Sequence, residues 1–339
     1  MYKANRLLKS NRYRWAILAL AALALFVFFG CSEKEPKVYR VGVLIEIAPF
    51  LKVVEGFKAK MHELSYIENK NITYDLKQVT GQPLKKKQVI DKFISDKMDL
   101  IIAIPTGPAL VAKAAIGNTS TPLVFAMAGL EGNDLVDSVR QPGANVTGVR
   151  FPGPNLTVKR FEFLLELKPN IKKLYITYNV KYPANEVALK ALRPLAASLN
   201  IILIEAPVKT VIELVANLEA RSKMEEIGLD AIQILPDNLS QSPAGWAAIS
   251  KFANLHRVPI AGAASFTAEK GAVFSYTPDN FEVGRLAAIL VDKIFEGIPA
   301  GTIPVITPES YLRLSYKQAQ KLGIDVPKGL LELATKIYR

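Results

Sequence analysis

Cysteine and histidine are scarce in this chain, which contains one cysteine and two histidines among 339 residues. A single cysteine excludes an internal disulfide framework and a cysteine-rich zinc site. His62 and His256 are far apart in the sequence, and neither has a second histidine or a cysteine near it. We therefore predict no metal site, and we expect both histidines to lie on the surface rather than to act as bases.

The motifs of several common enzyme classes are also missing. The sequence has no G-x-S-x-G elbow for a nucleophilic serine, no Walker A sequence for a nucleoside triphosphate and no G-x-G-x-x-G for a dinucleotide. We therefore predict that the protein is not an enzyme and needs no cofactor. An extracytoplasmic enzyme is the least favoured of the functions that remain open.

Positive charge exceeds negative charge, but much of the excess is local. The net charge is +12, and the first thirty residues hold five positive charges and no acid, so residues 31–339 carry 38 − 31 = +7. A moderate excess over so long a chain is weak evidence for a polyanionic partner. The basic run 85–87 has no interleaved aromatic residues and is more typical of a solvated helix start, or of a surface that faces anionic lipid or a partner, than of a nucleic-acid site. We predict no nucleic-acid partner.

Residues 1–30 have the pattern of a targeting segment. The five positive charges precede Trp15–Gly30, sixteen residues without a charged or polar side chain. A membrane-spanning helix needs ~20 apolar residues, so the run is short for a span and favours a signal peptide. The polar stretch 31–37 that follows is predicted to be a short tether.

Phe28-Phe29-Gly30-Cys31 resembles the lipobox of bacterial lipoprotein signal peptides, in which a small residue precedes the lipidated cysteine. The resemblance implies a lipid anchor at Cys31 and a location in the cell envelope, outside the cytoplasm and, in a Gram-negative host, on the periplasmic side. An uncleaved N-terminal anchor and an ordinary buried cysteine are the alternatives.

Short apolar runs alternate with amphipathic helices from Tyr39 onward. Such a series of continuously apolar strands predicts an α/β fold with a parallel sheet covered by helices on both faces. A cluster of proline and glycine near residues 150–154 marks a boundary, after which the same alternation restarts. The last segments are predicted to be an extended stretch at 303–314 and helices at 316–322 and 330–337. Two similar lobes in one chain predict a cleft between them.

Several short stretches, in this order and spacing, carry a family resemblance: Ser65–Asn71, Asp99–Ile104, Pro142–Val149, Pro236–Asn238 and Gln318–Pro327. From Arg40 to Lys336 the chain resembles the substrate-binding lipoproteins of ABC importers with the type I periplasmic-binding fold, in the subgroup that includes tryptophan-binding proteins. The resemblance implies two doubly wound, Rossmann-like lobes with a ligand cleft at the carboxyl ends of their strands.

The resemblance also implies that the chain crosses three times between the lobes. The first lobe is expected to contain residues 38–150 and 279–301, and the second lobe residues 151–278 and 302–339. Closure of the cleft would capture a small molecule, an amino acid or a similar solute with an apolar or aromatic part, for delivery to an ABC permease. A ligand-sensing lipoprotein that feeds a signalling partner is the alternative function. A peptide, a nucleoside-like compound or another apolar solute is the alternative ligand.

In the first lobe, residues that follow the strands are candidates for the cleft. Glu46 is placed to accept hydrogen bonds from a ligand amine, and Phe50 to stack on the ligand. Thr106 and Gly107 open a helix whose free N–H groups suit a carboxylate. Gly129 and Phe151 stand where relatives often carry polar or acidic residues, which predicts a more apolar cleft. A solvated Glu46, a packed Phe50 and a Thr106 that only caps its helix are the alternatives.

In the second lobe, the predicted ligand-binding residues end successive strands: Tyr178, Asp237, Ser265, Phe266, Tyr276 and Asp279. Asp237 is the preferred acceptor for a ligand ammonium or hydroxyl, with a turn that bonds its own backbone as the alternative. Phe266 and Tyr276 are expected to form an aromatic wall, although burial in the core is the commoner role of an aromatic residue.

Overall fold

The computed structural model describes residues 37–117 and 119–339. The predicted signal peptide, Cys31 and all of the tether before residue 37 lie outside the described residues. Within the described part of the chain, no helix combines the length and the apolar character needed to cross a membrane. Residues 39–339 form one compact unit, and this unit is described below.

The first lobe is built on a parallel sheet of five strands. Its central strands are buried along almost their whole length, because helices cover both faces. The strands are β1 (Tyr39–Ile45), β2 (Ile72–Gln78), β3 (Leu100–Ile104), β4 (Leu123–Ala128) and β5 (Val146–Arg150), in the order β2-β1-β3-β4-β5. Its helices are α1 (Leu51–Glu63), α2 (Pro83–Ser95) and α3 (Thr106–Ile116).

The second lobe is built on a sheet of seven strands. They are β6 (Lys173–Asn179), β7 (Ile202–Val208), β8 (Ala231–Gln233), β9 (Ile260–Gly262), β10 (Phe274–Pro278), β11 (Ser310–Ser315) and β12 (Lys336–Tyr338), in the order β12-β11-β10-β9-β8-β6-β7. The helices after β5 are α4 (Gly153–Leu167), α5 (Pro183–Ser198), α6 (Val211–Ser222), α7 (Pro243–His256), α8 (Asn280–Phe295), α9 (Tyr316–Leu322) and α10 (Lys328–Leu333).

The two sheets share one topology. The order β7-β6-β8-β9-β10 in the second sheet repeats the order β2-β1-β3-β4-β5 in the first, and both are doubly wound. The sequence shows no residue-level repeat, because a buried parallel strand requires only a run of apolar residues. The predicted α/β fold with two doubly wound lobes is confirmed.

Helix α8 follows the second sheet in the sequence but packs against α1 in the first lobe. Two glycines permit the close contact: a Cβ atom on Gly56 would lie 1.9 Å from the Phe281 carbonyl oxygen, and one on Gly284 would lie 1.9 Å from the Val53 carbonyl oxygen. Substituting either glycine would force the two helices apart. The chain therefore returns to the first lobe after β10.

Beyond residue 302, the predicted start of the last segment of the second lobe, the chain still pairs with the first sheet. The Ile306 N–H donates to the Gly148 carbonyl at 3.0 Å, and the Arg150 N–H donates to the Ile306 carbonyl at 2.9 Å. Residues 303–306 thus run beside β5 at the edge of the first sheet. The chain then continues into β11, which is antiparallel to β10.

The predicted C-terminal helix at 330–337 is wrong in its second half. Helix α10 ends at Leu333, and Lys336–Tyr338 form β12, which pairs with β11 in parallel. The Thr335 N–H donates to the Leu312 carbonyl at 2.9 Å and begins this pairing. The backbone groups of β11 would otherwise lie unpaired at a sheet edge, and this tertiary demand outweighs the local helical pattern.

Candidate ligand-binding cleft

A cavity of about 480 Å³ lies between the two lobes. It is bounded at the carboxyl ends of β1 and β3 by Glu46 and Thr106, and at the carboxyl ends of β6 and β8 by Tyr182 and Asp237. In each sheet the strand order reverses between these two strands, and ligands of doubly wound sheets bind at such switch points. The volume is typical of sites for small molecules.

Most of the residues predicted from strand ends line this cavity. Those that do are Glu46, Phe50, Thr106, Gly129, Phe151, Asp237, Ser265 and Phe266. Gly107 lies directly beside it, since a Cβ atom there would be 3.4 Å from Oε2 of Glu46. Tyr178, Tyr276 and Asp279 do not line it.

The side chains of these last three residues have other partners. The Tyr178 hydroxyl donates to Glu205 at 3.2 Å, and the Tyr276 ring packs edge-on against Phe163 with the ring centroids 5.2 Å apart. Asp279 accepts from the Phe281 N–H at the start of α8 and pairs with Arg313 at 2.6 Å. These three predicted ligand-binding residues therefore lie outside this cavity. The end of a strand fixes where a residue lies along the sheet, but the alternation of side chains decides on which face of the sheet its side chain lies.

Glu46 forms a buried ion pair at the base of the cavity. Its Oε1 lies 2.5 Å from Nζ of Lys86 in α2, and only 4% of the surface of either residue is exposed. Its Oε2 is buried and has no hydrogen-bond partner among the described residues. Glu46 is therefore no solvated loop acid, and one of its two oxygens keeps its capacity to accept a hydrogen bond.

Thr106 begins helix α3 without capping it. Its hydroxyl oxygen accepts a hydrogen bond from the Gly129 N–H at 3.0 Å, which ties the loop after β4 to the loop after β3. Among the described residues, no side chain caps the N-terminus of α3. The first N–H groups of a helix have no intrahelical partner, and together with the helix dipole they favour an anionic group. The start of α3 therefore presents backbone N–H groups beside Glu46.

Asp237 is almost fully buried, and both of its oxygens are occupied. Oδ2 accepts from the Asn179 N–H and from Nδ2 of Asn185, and Oδ1 accepts from the N–H groups of Leu239 and Ser240, all at 2.8–2.9 Å. Burial raises the pKa of Asp237, and the four donors act in the opposite direction. Asp237 thus lines the cavity while holding together the loops after β6 and β8.

Aromatic side chains form much of the cavity wall. In the second lobe, Phe266 and Trp246 meet edge to face with their centroids 5.9 Å apart, and Phe50 and Phe151 contribute from the first lobe. Trp246 was not predicted, because its position within α7 is equally consistent with ordinary core packing. The wall suits a flat, apolar ligand group.

Tyr182 was also missed by the sequence analysis. It lies between β6 and α5 in the second lobe, and its hydroxyl interacts with Thr106 in the first lobe. Burial raises the pKa of Tyr182, and the carboxylates of Glu46 and Asp237 raise it further. Tyr182 thus lines the cavity from the second lobe, next to Thr106 of the first lobe.

The lobes also touch at the rim of the cleft. A Cβ atom on Gly132 would lie 2.7 Å from Cγ2 of Val187, which is on α5 of the opposite lobe. Gly132 has a positive φ of 77°, so a larger residue would be strained there and would also collide with the second lobe.

Across residues 37–117 and 119–339, no group of three or more His, Cys, Asp or Glu side chains is placed to hold a metal ion. An aromatic-lined cavity with a few polar groups, between two doubly wound lobes, is the binding cleft of a two-lobed solute-binding protein. The chain belongs to the ABC transporter substrate binding protein family, whose model matches residues 39–338. The family resemblance seen in the sequence is confirmed.

Three relatives illustrate this membership. The chain is 26% identical over 316 residues to a tyrosine-binding protein of Clostridioides difficile, covering 89% of each chain. It is 29% identical to a conserved domain protein of Vibrio cholerae, with a TM-score of 0.79, covering 89% of this chain and 100% of the other. It is 20% identical to an ABC domain of Streptococcus pneumoniae solved with L-tryptophan, with a TM-score of 0.78 and the same coverage.

The family membership sets the general function. Proteins of this family bind a small solute and deliver it to an ABC transporter, and the two-lobed cleft of this chain serves that role. The predicted solute capture and delivery are confirmed at this level.

Proposed function

We propose that the cleft binds a free aromatic amino acid of the size of tyrosine or tryptophan. The observation that carries the proposal is that one cavity combines an aromatic wall, an unoccupied buried carboxylate oxygen and the uncapped start of a helix. These three features match the ring, the ammonium and the carboxylate of such a ligand. The names of the tyrosine-binding relative and of the tryptophan complex support the same class of ligand.

In the proposed pose, the ammonium donates to Oε2 of Glu46 and the carboxylate lies at the N-terminus of α3. The two groups of an α-amino acid are bonded to the same carbon, so their sites must be adjacent. Glu46 and Gly107 meet this requirement, with 3.4 Å between Oε2 and the position of a Cβ atom on Gly107. The ring then extends toward Phe266 and Trp246.

The proposed activity is binding without chemical turnover. Recovery of the ligand unchanged after long incubation with the protein would support it.

A thermal-shift panel tests the ligand class on the full-length protein. L-tyrosine, L-tryptophan and L-phenylalanine are compared with L-lysine, L-glutamate, ribose and adenosine. A ligand at 100 times its dissociation constant stabilises the native state by ~2.7 kcal/mol, enough to raise the melting temperature by several degrees. We expect a shift with the aromatic amino acids only. A shift with ribose or adenosine, and none with the aromatic amino acids, would refute the proposal.

The two tyrosines near the end of β6 make a matched pair of variants. Tyr182→Phe removes the hydroxyl that reaches Thr106, and we expect L-tyrosine to bind five- to tenfold more weakly, or by ~1–1.4 kcal/mol. Tyr178→Phe removes a hydroxyl bonded to Glu205 outside the cavity, and we expect a change of less than about twofold. Calorimetric titration measures both. Equal losses in the two variants would show that Tyr182 has no special place in the cleft.

We further propose that the lobes close on the ligand about three connections. They follow β5, precede α8 and lie after Ile306, so the proposed first lobe includes 38–150 and 279–306. Hinges of this kind are a few residues at the ends of rigid elements. A smaller radius of gyration with L-tyrosine than without it, by small-angle scattering, is the expected result. An unchanged radius at saturation would argue against closure.

The proposed cellular setting is the outer side of a membrane, with a lipid anchor at Cys31. The support is the sequence alone, namely the basic and apolar segment 1–30 and the small residue before Cys31. Multiple acyl chains supply the affinity that stable anchoring requires. Cys31→Ser is expected to move the protein from the membrane fraction, or to leave an uncleaved precursor. If Cys31→Ser is cleaved and distributes between membrane and soluble fractions as the wild type does, the protein has no lipid anchor at Cys31.

A further inference from the structure

Lys86 is buried close to the cavity, although it does not line it. The run 85–87 is predicted to be a solvated helix start, and this prediction is wrong for Lys86. Lys85 and Lys87 are exposed, whereas only 4% of the surface of Lys86 is exposed. Lys86 shares a helix face with Ile90 and Phe93, and its ammonium meets Oε1 of Glu46.

A buried pair of this kind is costly to form. Removing two charges from water carries a penalty that their attraction only roughly offsets, and apolar side chains of similar size often stabilise a fold as well or better. Stability alone is therefore a poor explanation for Lys86. The position of its partner supplies a better one, because Glu46 lines the cavity and its other oxygen has no hydrogen-bond partner among the described residues.

Other charged groups at the cavity have partners of their own. Glu131 pairs with Arg150 at 2.7 Å, Lys52 with Glu55 at 2.7 Å, and Lys270 lies 5.7 Å from the centre of the Phe266 ring. Around Glu46, the facing groups are Lys86 from α2, the Tyr182 hydroxyl from the opposite lobe, the N-terminus of α3 at Gly107 and, further across, Asp237. Lys86 is the cation in contact with Glu46.

We propose that Lys86 is a specificity-determining residue that acts through Glu46 and selects ligands with no net charge. It cancels the charge of the carboxylate while leaving Oε2 without a protein partner, so that a ligand ammonium can donate to it. An ammonium without a carboxylate would add an unbalanced positive charge next to Lys86, whereas a zwitterion would not. This inference rests on the proposed binding of an aromatic amino acid.

The test compares L-tyrosine with tyramine, which keeps the ring and the ammonium but lacks the carboxylate. In the wild type we expect tyramine to bind at least 100-fold more weakly. In Lys86→Met the carboxylate of Glu46 has no counter-ion, so the ratio of the two dissociation constants is expected to fall at least tenfold at pH 8. Lys87→Met is the matched control, because Lys87 is exposed and pairs with Asp91. A ratio in Lys86→Met within twofold of the wild type would overturn the proposal.

Melting curves without ligand separate this inference from the proposed function. A buried carboxylate without a counter-ion takes up a proton at low pH and is destabilising when ionised. The loss of melting temperature in Lys86→Met should therefore grow between pH 5.5 and pH 8.5. It should disappear in Glu46→Gln/Lys86→Met, in which no charge remains. If the wild type does not bind L-tyrosine, the proposed function fails, and this series still decides whether Lys86 balances Glu46. A loss independent of pH would overturn that role.

Discussion

Asp237→Ala is expected to lower the melting temperature of the protein by roughly 5 °C. The carboxylate accepts four hydrogen bonds in a site where it is 2% exposed, and its removal leaves four donors without a partner. Unsatisfied buried donors cost about 1–3 kcal/mol each when water cannot reach them, and partial access of water reduces the sum to ~3–4 kcal/mol. In a folded unit that spans residues 39–339, 1 kcal/mol corresponds to ~1.5 °C.

The same substitution is expected to weaken binding of L-tyrosine at least tenfold, or by ~1.4 kcal/mol. The cause is indirect, because the oxygens of Asp237 are occupied by Asn179, Asn185, Leu239 and Ser240 rather than open to the ligand. Asp325→Ala, at an exposed position, is the control. A fall of less than 2 °C in Asp237→Ala would mean that water replaces the carboxylate and that the loops do not depend on it.

Phe266→Ala is expected to weaken binding of L-tyrosine by about 30-fold, or ~2 kcal/mol, from lost ring contact and lost burial. Phe266 is half-buried in the second lobe, and its edge-on contact with Trp246 fixes the plane that the cavity presents. Because it is already partly exposed, the effect on folding should be small. Calorimetric titration of the variant and the wild type measures the difference.

Two further variants sharpen this result. Phe266→Leu keeps most of the apolar volume but loses the ring, and an intermediate affinity is expected. Phe281→Ala removes a half-buried phenylalanine that does not line the cavity, and affinity should stay within about twofold. If Phe266→Ala binds as tightly as Phe281→Ala, the ligand ring does not rest on this wall.

The fold was predictable because its central strands are continuous apolar runs in the sequence. β3 and β4 are buried at every position, and a strand buried on both faces needs little else. The error at the C-terminus has the opposite cause. The segment 336–338 becomes a strand because the edge of β11 is available, and that edge is formed by residues distant in the sequence.

The site was only partly predictable. Glu46 and Thr106 follow central strands of a doubly wound sheet, so their place at the cleft follows from topology. The choice between Tyr178 and Tyr182 depends on the turn after β6, for which the sequence carries no clear signal. The sequence does contain a signal for Lys86, because its spacing from Ile90 and Phe93 places it on the buried face of α2.

Calorimetric titration of L-tyrosine and L-tryptophan into the full-length protein tests the central claim most directly. We expect at least one of them to bind saturably, at one site per chain, with a dissociation constant in the micromolar range or lower. We also expect Phe266→Ala to weaken that affinity. No heat of binding for either amino acid, together with saturable binding of a sugar or a nucleoside by the same preparation, would contradict it.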